Sequence, residues 1–189
     1  SVETSRDKRA NKIYRGGLFD YARTKRDILR WLKQDQSAFV TTMFDFYALP
    51  RDFPGYQGAI TSSDPYQKAL VVQQALAADI GNQRFIPYIQ LHEFEALLFS
   101  DIDALCGTCN LGQKHHTELK TIRDSFSTPE HINDNPHTAP SKRILGIHQS
   151  YEKIIDGVQT AKAIGLTKLR EECLHFNTWL EKLEALTDS

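Results

Sequence analysis

Between Phe19 and Lys33 the apolar residues Tyr21, Ala22, Ile28, Leu29 and Leu32 recur at helical spacing, opposite a basic face of Arg23, Lys25, Arg26 and Arg30, which predicts an amphipathic helix. The run Ala38-Phe39-Val40-Thr41-Thr42-Met43-Phe44 is rich in β-branched and aromatic residues and lacks period-two alternation. It predicts a strand covered on both faces that stops at Asp45. Pro50, Pro54 and Gly55 make "FYALPRDFPGY" a loop. A second helix starts at Ser63 or Asp64 as N-cap, with Pro65 in its first turn, and ends at Gly81 as C-cap. "RFIPYIQL" is a second covered strand, in which Pro87 implies an edge position or a bulge. Phe94, Leu97 and Leu98 then fall at i, i+3, i+4, so "QLHEFEALLF" sits at a strand-to-helix junction.

The remainder is less regular. The polar opening "SVETSRDKRANKIYRGG" reads as a loop with a short strand at its beginning. Beyond Asp103 come a short helix to about Cys106, a turn, a helix near His115 to Phe126, and a long loop from Thr128 to Pro140. Three or four helical segments broken at Gly146, Gly157 and Gly165 finish the chain. Strands alternating with helices first and helices alone afterwards predict an α/β fold, a mostly parallel sheet flanked by helices with an all-helical C-terminal part. The expectation is a single domain over 1–189, with the sheet layer in 1–105 and a helical extension in 106–189.

Composition narrows the function little. The 189 residues suffice for one sizeable core, and a net charge of −1 provides no global field for a polyanion. Any nucleic-acid site must be local, and the clusters Lys8-Arg9 with Lys12 and Arg15, the helical set from Arg23, and Lys142-Arg143 read first as solvated faces. No apolar run reaches the roughly 20 residues of a membrane span, so no membrane association is expected. Three cysteines, an odd number, speak against a disulfide framework and for a reducing cytoplasm.

Two places carry candidate chemistry. Asp45 closes a strand and precedes a proline-bearing loop, where open α/β sheets bind ligands, and its carboxylate suits a hard cation such as Mg²⁺. The plain alternative is an Asp capping a turn. In "HEFE", position 96 is Ala, so the zincin helix motif is absent. If residues 92 to 95 are extended, Glu93 and Glu95 point the same way and share a cation; if they are helical, His92 shares a face with Glu95. The plain alternative is two acids favourably placed at a helix N-terminus. Acids at two neighbouring strand ends resemble a two-metal phosphoryl-transfer site. Cys106-Gly-Thr-Cys109 before His115-His116 is a poor zinc pattern, since it lacks two well-spaced ligand pairs. No Walker loop, Rossmann fingerprint, nucleophile elbow or kinase signature occurs. The loop holding Glu130, His131, Asn133, Asp134 and His137 leads to Lys142 and Arg143, which at a helix start are candidates to meet a phosphate.

The strings "TTMFDFYALPRDFPGY", "FIPYIQLHEFEALLFSD", "TPEHINDNPHTAPSKRIL", "YEKIIDG" and "CLHFNTWLEKL", in that order, resemble the bacterial family catalogued as domain of unknown function 4276, over about Tyr14 to Leu186. That family is similar to Toprim-type domains, and the family's own members often lie near genes for ATPases in bacterial defence-like neighbourhoods. The resemblance implies an acid after the first strand and an Asp-x-Asp after a later one, together holding Mg²⁺. Asp45 matches the first position of that pair, but the second is Tyr47, leaving Glu93 or Glu95 to supply oxygen ligands. Family members look to begin with a strand and a Glu-Gly turn upstream of Ser1, which the sequence lacks.

Three readings follow. The first is a Toprim-like nuclease or phosphoryl-transfer domain dependent on Mg²⁺ or Mn²⁺. Asp45, Glu93 and Glu95 would be metal ligands, His92 would support them, and Lys142, Arg143 or Lys153 would neutralise a DNA or RNA phosphate. The second is a non-catalytic binding or regulatory partner of an ATPase. The third is a small-molecule hydrolase with His92 as base.

Overall fold

The computed structural model describes residues 3–7, 12–15, 18, 20–133 and 137–186, of which 3–7 and 12–15 are described as backbone only. The Lys8-Arg9 pair and Asp134 fall outside these. The chain divides into two compact units, Ser1–Ile89 and Gln90–Ser189.

The first unit is mixed α/β. The polar opening, expected as a loop with one short strand, contains two strands, β1 (Glu3–Asp7) and β2 (Lys12–Arg15), paired antiparallel. Helix α1 (Tyr21–Gln34) starts where Asp20 accepts the Arg23 N–H and buries Thr24, Ile28 and Leu32, while Leu29 stays 40% exposed. Next come β3 (Val40–Thr41), β4 (Phe44–Asp45), α2 (Tyr56–Ala59) and α3 (Pro65–Ile80). Helix α3 is capped by Asp64 at the Tyr66 N–H and ended by Gly81 at φ 63°. Strands β5 (Phe85–Ile86) and β6 (Ile89–Gln90) follow.

The predicted continuous strands are each broken. β3 pairs parallel with β5 through Val40 opposite Phe85 and Thr41 opposite Ile86. At the break, the buried Thr42 hydroxyl donates to the Tyr88 carbonyl at 3.3 Å and accepts the Tyr88 N–H at 3.2 Å, so a side chain takes the place of a ladder rung. Pro87, with no N–H to offer, interrupts the other strand. The strand over 38–44 is also not covered on both faces, since Phe39 is 45% and Met43 37% exposed. Arg84 ties the unit together, donating at 2.8 Å to the carbonyl of Leu32 in the last turn of α1 and to those of Asp35 and Ala38 just after it. α2 packs on α3 through Gly55, where φ is +76° and a Cβ would fall 2.8 Å from Ala75 Cβ and 2.9 Å from the Val71 carbonyl.

In the second unit every described regular element after β6 is helical, so the helical part begins at Phe94, earlier than residue 106. A 3-10 helix (Phe94–Ser100) is followed by α4 (Ile102–Thr108), α5 (Gln113–Asp124), a 3-10 turn (Pro129–His131) inside the expected loop, and α6 (Pro140–Ile147). A π-helical turn (Lys153–Gly157) runs straight into α7 (Val158–Ile164), then α8 (Leu166–Glu172) and α9 (Leu174–Glu184). Leu97, Leu98 and Phe99 are buried at 1% exposure or less and form the centre of its core with Leu105, Leu119, Ile132 and Ile144. Among the described residues no helix is long and apolar enough to cross a membrane.

Candidate functional site

Three irregular backbone segments of the second unit build one charged cluster. His92 adopts the left-handed region at φ 62°, uncommon for a residue with a Cβ. Glu93 is extended at φ −150° and ψ 163°, and the 3-10 helix begins directly after it. Glu93 stands at the N-cap position yet makes no side-chain capping bond to that helix. Its carboxylate instead accepts the Ser141 N–H at 2.5 Å and the Ser141 hydroxyl at 3.0 Å, both from the first turn of α6.

Lys153, at the start of the π-turn, joins both acids. Its Nζ lies 3.3 Å from Glu93 Oε2 and 3.1 Å from Glu95 Oε1. The glutamate side chains are only 8% and 3% exposed, whereas Lys153 is 51% exposed, so the lysine covers the acids from the solvent side. Burial, followed by the repulsion of Glu93, outweighs Lys153 and holds the Glu95 carboxyl above its ordinary range. Burial works against the Lys153 ammonium, but Glu95 and Glu93 together hold its pKa above the ordinary lysine value. Of the two geometries open for "HEFE", neither is realised whole: His92 is left-handed, Glu93 alone is extended and the chain is helical from Phe94, and both acids still meet one cation.

The other predicted residues are placed as follows. Asp45 ends β4 and precedes the 3-10 turn Phe46–Ala48, to which its side chain makes no capping bond. Tyr47, at the second position of the expected acid pair, is 50% exposed. Lys142 is exposed on the first turn of α6, the helix that presents Ser141 to Glu93. Arg143 is engaged locally: its Nε donates to the Thr138 carbonyl at 2.6 Å, and its guanidinium lies 5.7 Å from the Phe126 ring centroid. Glu130 is fully buried and accepts the His175 and Phe176 N–H groups at 3.0 Å each, capping α9. Cys106 and Cys109 are buried thiols, and His116 Nε2 meets Asp103 Oδ1 at 2.7 Å. No group of three or more His, Cys, Asp or Glu among the described residues is arranged to hold a metal ion.

The family model described as a domain of unknown function (DUF4276) matches residues 2–184. The chain belongs to that family. No curated protein and no solved structure matches it. Glu93, Glu95 and Lys153 of this DUF4276 chain lie in two of the strings that carried the resemblance, as does a residue that motif reading passed over. Tyr151, in "YEKIIDG", is 5% exposed, and its hydroxyl is buried without a hydrogen-bond partner among the described residues. Ser141 was passed over as well; its signal was the Pro140-Ser141 helix start, which places a free N–H and a hydroxyl together.

Proposed function

We propose that the second unit carries a phosphoryl-transfer site acting on a nucleic-acid phosphate, centred on Glu93, Glu95 and Lys153, in a protein of Toprim-like design. One observation carries this reading: a single lysine within 3.3 Å of two buried carboxylates that stand two positions apart in the chain. Burying two acids with one half-exposed lysine is a poor route to stability, since apolar residues of similar volume do as well or better. A carboxyl held above its ordinary range, as that of Glu95 is, beside a specific charge partner is characteristic of functional sites. The donor set fits a hard divalent ion, because Mg²⁺ is commonly held by one or two carboxylates, with water and substrate phosphate completing the shell. Glu93 and Glu95 would hold it, and it would stabilise charge on the attacked phosphate and acidify a bound water. Lys153, whose ammonium the two acids hold protonated in this structure, would neutralise the phosphate. Asp45, on the first unit, is a separate candidate ligand.

Calorimetric titration with Mg²⁺ and Mn²⁺ tests the site. Wild type is expected to bind at least tenfold more tightly than Glu95→Gln or Glu93→Gln, with Asp45→Ala measured beside them. Equal affinity in all four proteins would remove the metal reading. Cleavage of plasmid and single-stranded DNA with each metal then reports the activity.

A second reading, a non-catalytic partner of an ATPase, is favoured by Glu93 accepting both the N–H and the hydroxyl of Ser141, which ties the 3-10 helix to α6. DNA cleavage by the full chain that Asp45→Asn or Glu95→Gln abolishes would sink it.

A further inference from the structure

We propose that Tyr151 is a substrate-binding residue of this site, its phenol O–H donating a hydrogen bond to a phosphate oxygen of the substrate. The proposal rests on the phosphoryl-transfer reading above and deepens it.

Buried tyrosine hydroxyls nearly always find a partner, so one without any calls for an explanation. Its place supplies one. A Cβ built on Gly157 would fall 2.9 Å from Tyr151 Oη, 3.6 Å from Phe94 Cε1 and 3.8 Å from Leu98 Cδ1. Phe94 is the residue between Glu93 and Glu95, and Gly157 closes the π-turn that Lys153 opens. The hydroxyl therefore lies at the end of the π-turn, in the neighbourhood of the apolar side chains of Phe94 and Leu98. Burial, then the charges of Glu95, Cys109, Asp156 and Glu93, raise the phenol pKa well above its ordinary value. All of those neighbours disfavour a phenolate, which keeps the O–H available for an acceptor. Glu95 and Glu93 are close enough to act on the phenol, and with those acids neutralised by a divalent ion the acceptor such a donor would fit is an oxyanion. Gly157 is what lets the hydroxyl sit where it does, because a Cβ at that position would meet Oη at 2.9 Å.

The test is Tyr151→Phe in the full chain, with Mn²⁺ titrated alone and inorganic phosphate titrated in saturating Mn²⁺. The expected result is an unchanged or higher Tm, Mn²⁺ affinity within twofold of wild type, and phosphate affinity lowered about tenfold, the typical effect of losing one hydrogen bond to a charged group. Wild-type phosphate affinity in Tyr151→Phe would overturn the proposal while leaving the metal site standing. A Tm lowered by several degrees would also overturn it, by showing that the hydroxyl is already satisfied within the fold or by a resident water. Wild type that binds neither Mn²⁺ nor phosphate removes the parent reading, and this one with it. Gly157→Ala is the second variant, expected to weaken phosphate while sparing Mn²⁺; equal phosphate affinity there counts against the proposal in the same way.

Discussion

Replacing Lys153 by Met keeps the length of the side chain and removes the charge that two buried acids share. At 3.1 Å an ion pair attracts by about 5 kcal/mol for an effective dielectric near 20. Breaking a buried pair by removing one partner costs roughly 3–5 kcal/mol, because the remaining charge is stranded. Lys153 is 51% exposed, so water and salt supply part of what it gives, and halving the figure leaves about 2 kcal/mol. That corresponds to a Tm lowered by roughly 4–8 °C for a chain of this size.

The pH dependence is the sharper part. A carboxyl whose folded pKa is raised contributes stability below its unfolded pKa and loses it as pH rises through the folded value. Glu95 already behaves so in the wild type, and without Lys153 its pKa rises further. The penalty of Lys153→Met is thus expected to be larger near pH 8 than near pH 5. Trp179 lies on α9 with its ring centroid 5.7 Å from that of Phe176, so urea unfolding followed by its fluorescence in a Trp31→Phe background reports the second unit. A penalty that is the same at both pH values, or below about 0.5 kcal/mol at pH 8, would refute the reasoning.

The other expectations are simpler. Gly157→Ala forces a Cβ onto Tyr151 Oη at 2.9 Å and should cost about 1–3 kcal/mol; adding Tyr151→Phe removes the obstructing atom and should restore part of that loss in a double-mutant thermal-unfolding cycle. Glu130→Ala leaves the N–H groups of His175 and Phe176 buried without their acceptor, and should cost about 2–3 kcal/mol, with faster amide exchange at the start of α9. Burial opposes ionisation of Glu172, but Arg123 at 2.7 Å and Lys168 at 3.0 Å hold its pKa below the ordinary value. Its contribution is therefore present above the unfolded glutamate pKa and lost as pH falls through the folded one. Unfolding of Glu172→Gln should differ from wild type at pH 7 and converge with it toward pH 3.

What the sequence reveals and what it conceals divide along physical lines. α1 and α3 are legible because their signals are local: Asp20 and Asp64 cap the first turn, and Gly81 takes the left-handed position at an end. The strands are legible in place but not in length. Nothing local announces that Thr42 exchanges both hydrogen bonds with Tyr88, at a separation of 46 residues. Glu93 and Glu95 were visible as a pair of acids, and Asp45 as a strand end. The meeting of Glu93 with Lys153, 60 residues along the chain, has no periodic signature. Tyr151 was invisible for another reason: in a polar stretch a tyrosine reads as a surface residue, and its burial without a partner among the described residues is a property of tertiary packing alone.

The backbone itself supplies an independent reason to regard the cluster as more than a polar rim. Left-handed conformation at a residue with a Cβ, 3-10 winding over a full seven residues and a π-turn each forgo the favoured hydrogen-bond geometry of an α-helix. Such departures cost free energy and persist where the surrounding structure imposes them, and they concentrate at functional sites. Here all three fall on the segments that carry His92, Glu93, Glu95 and Lys153. Had the acids served only to favour a helix N-terminus, a regular α-helix from Phe94 would have met that need. It would also have rotated Glu95 by about 200° from Glu93 around the axis, at roughly 100° per residue, so that one ammonium could not reach both. The extended Glu93, the 3-10 start at Phe94 and the π-turn at Lys153 are what bring two acids and one lysine within 3.3 Å, and that juxtaposition is the observation on which the proposed phosphoryl-transfer reading rests.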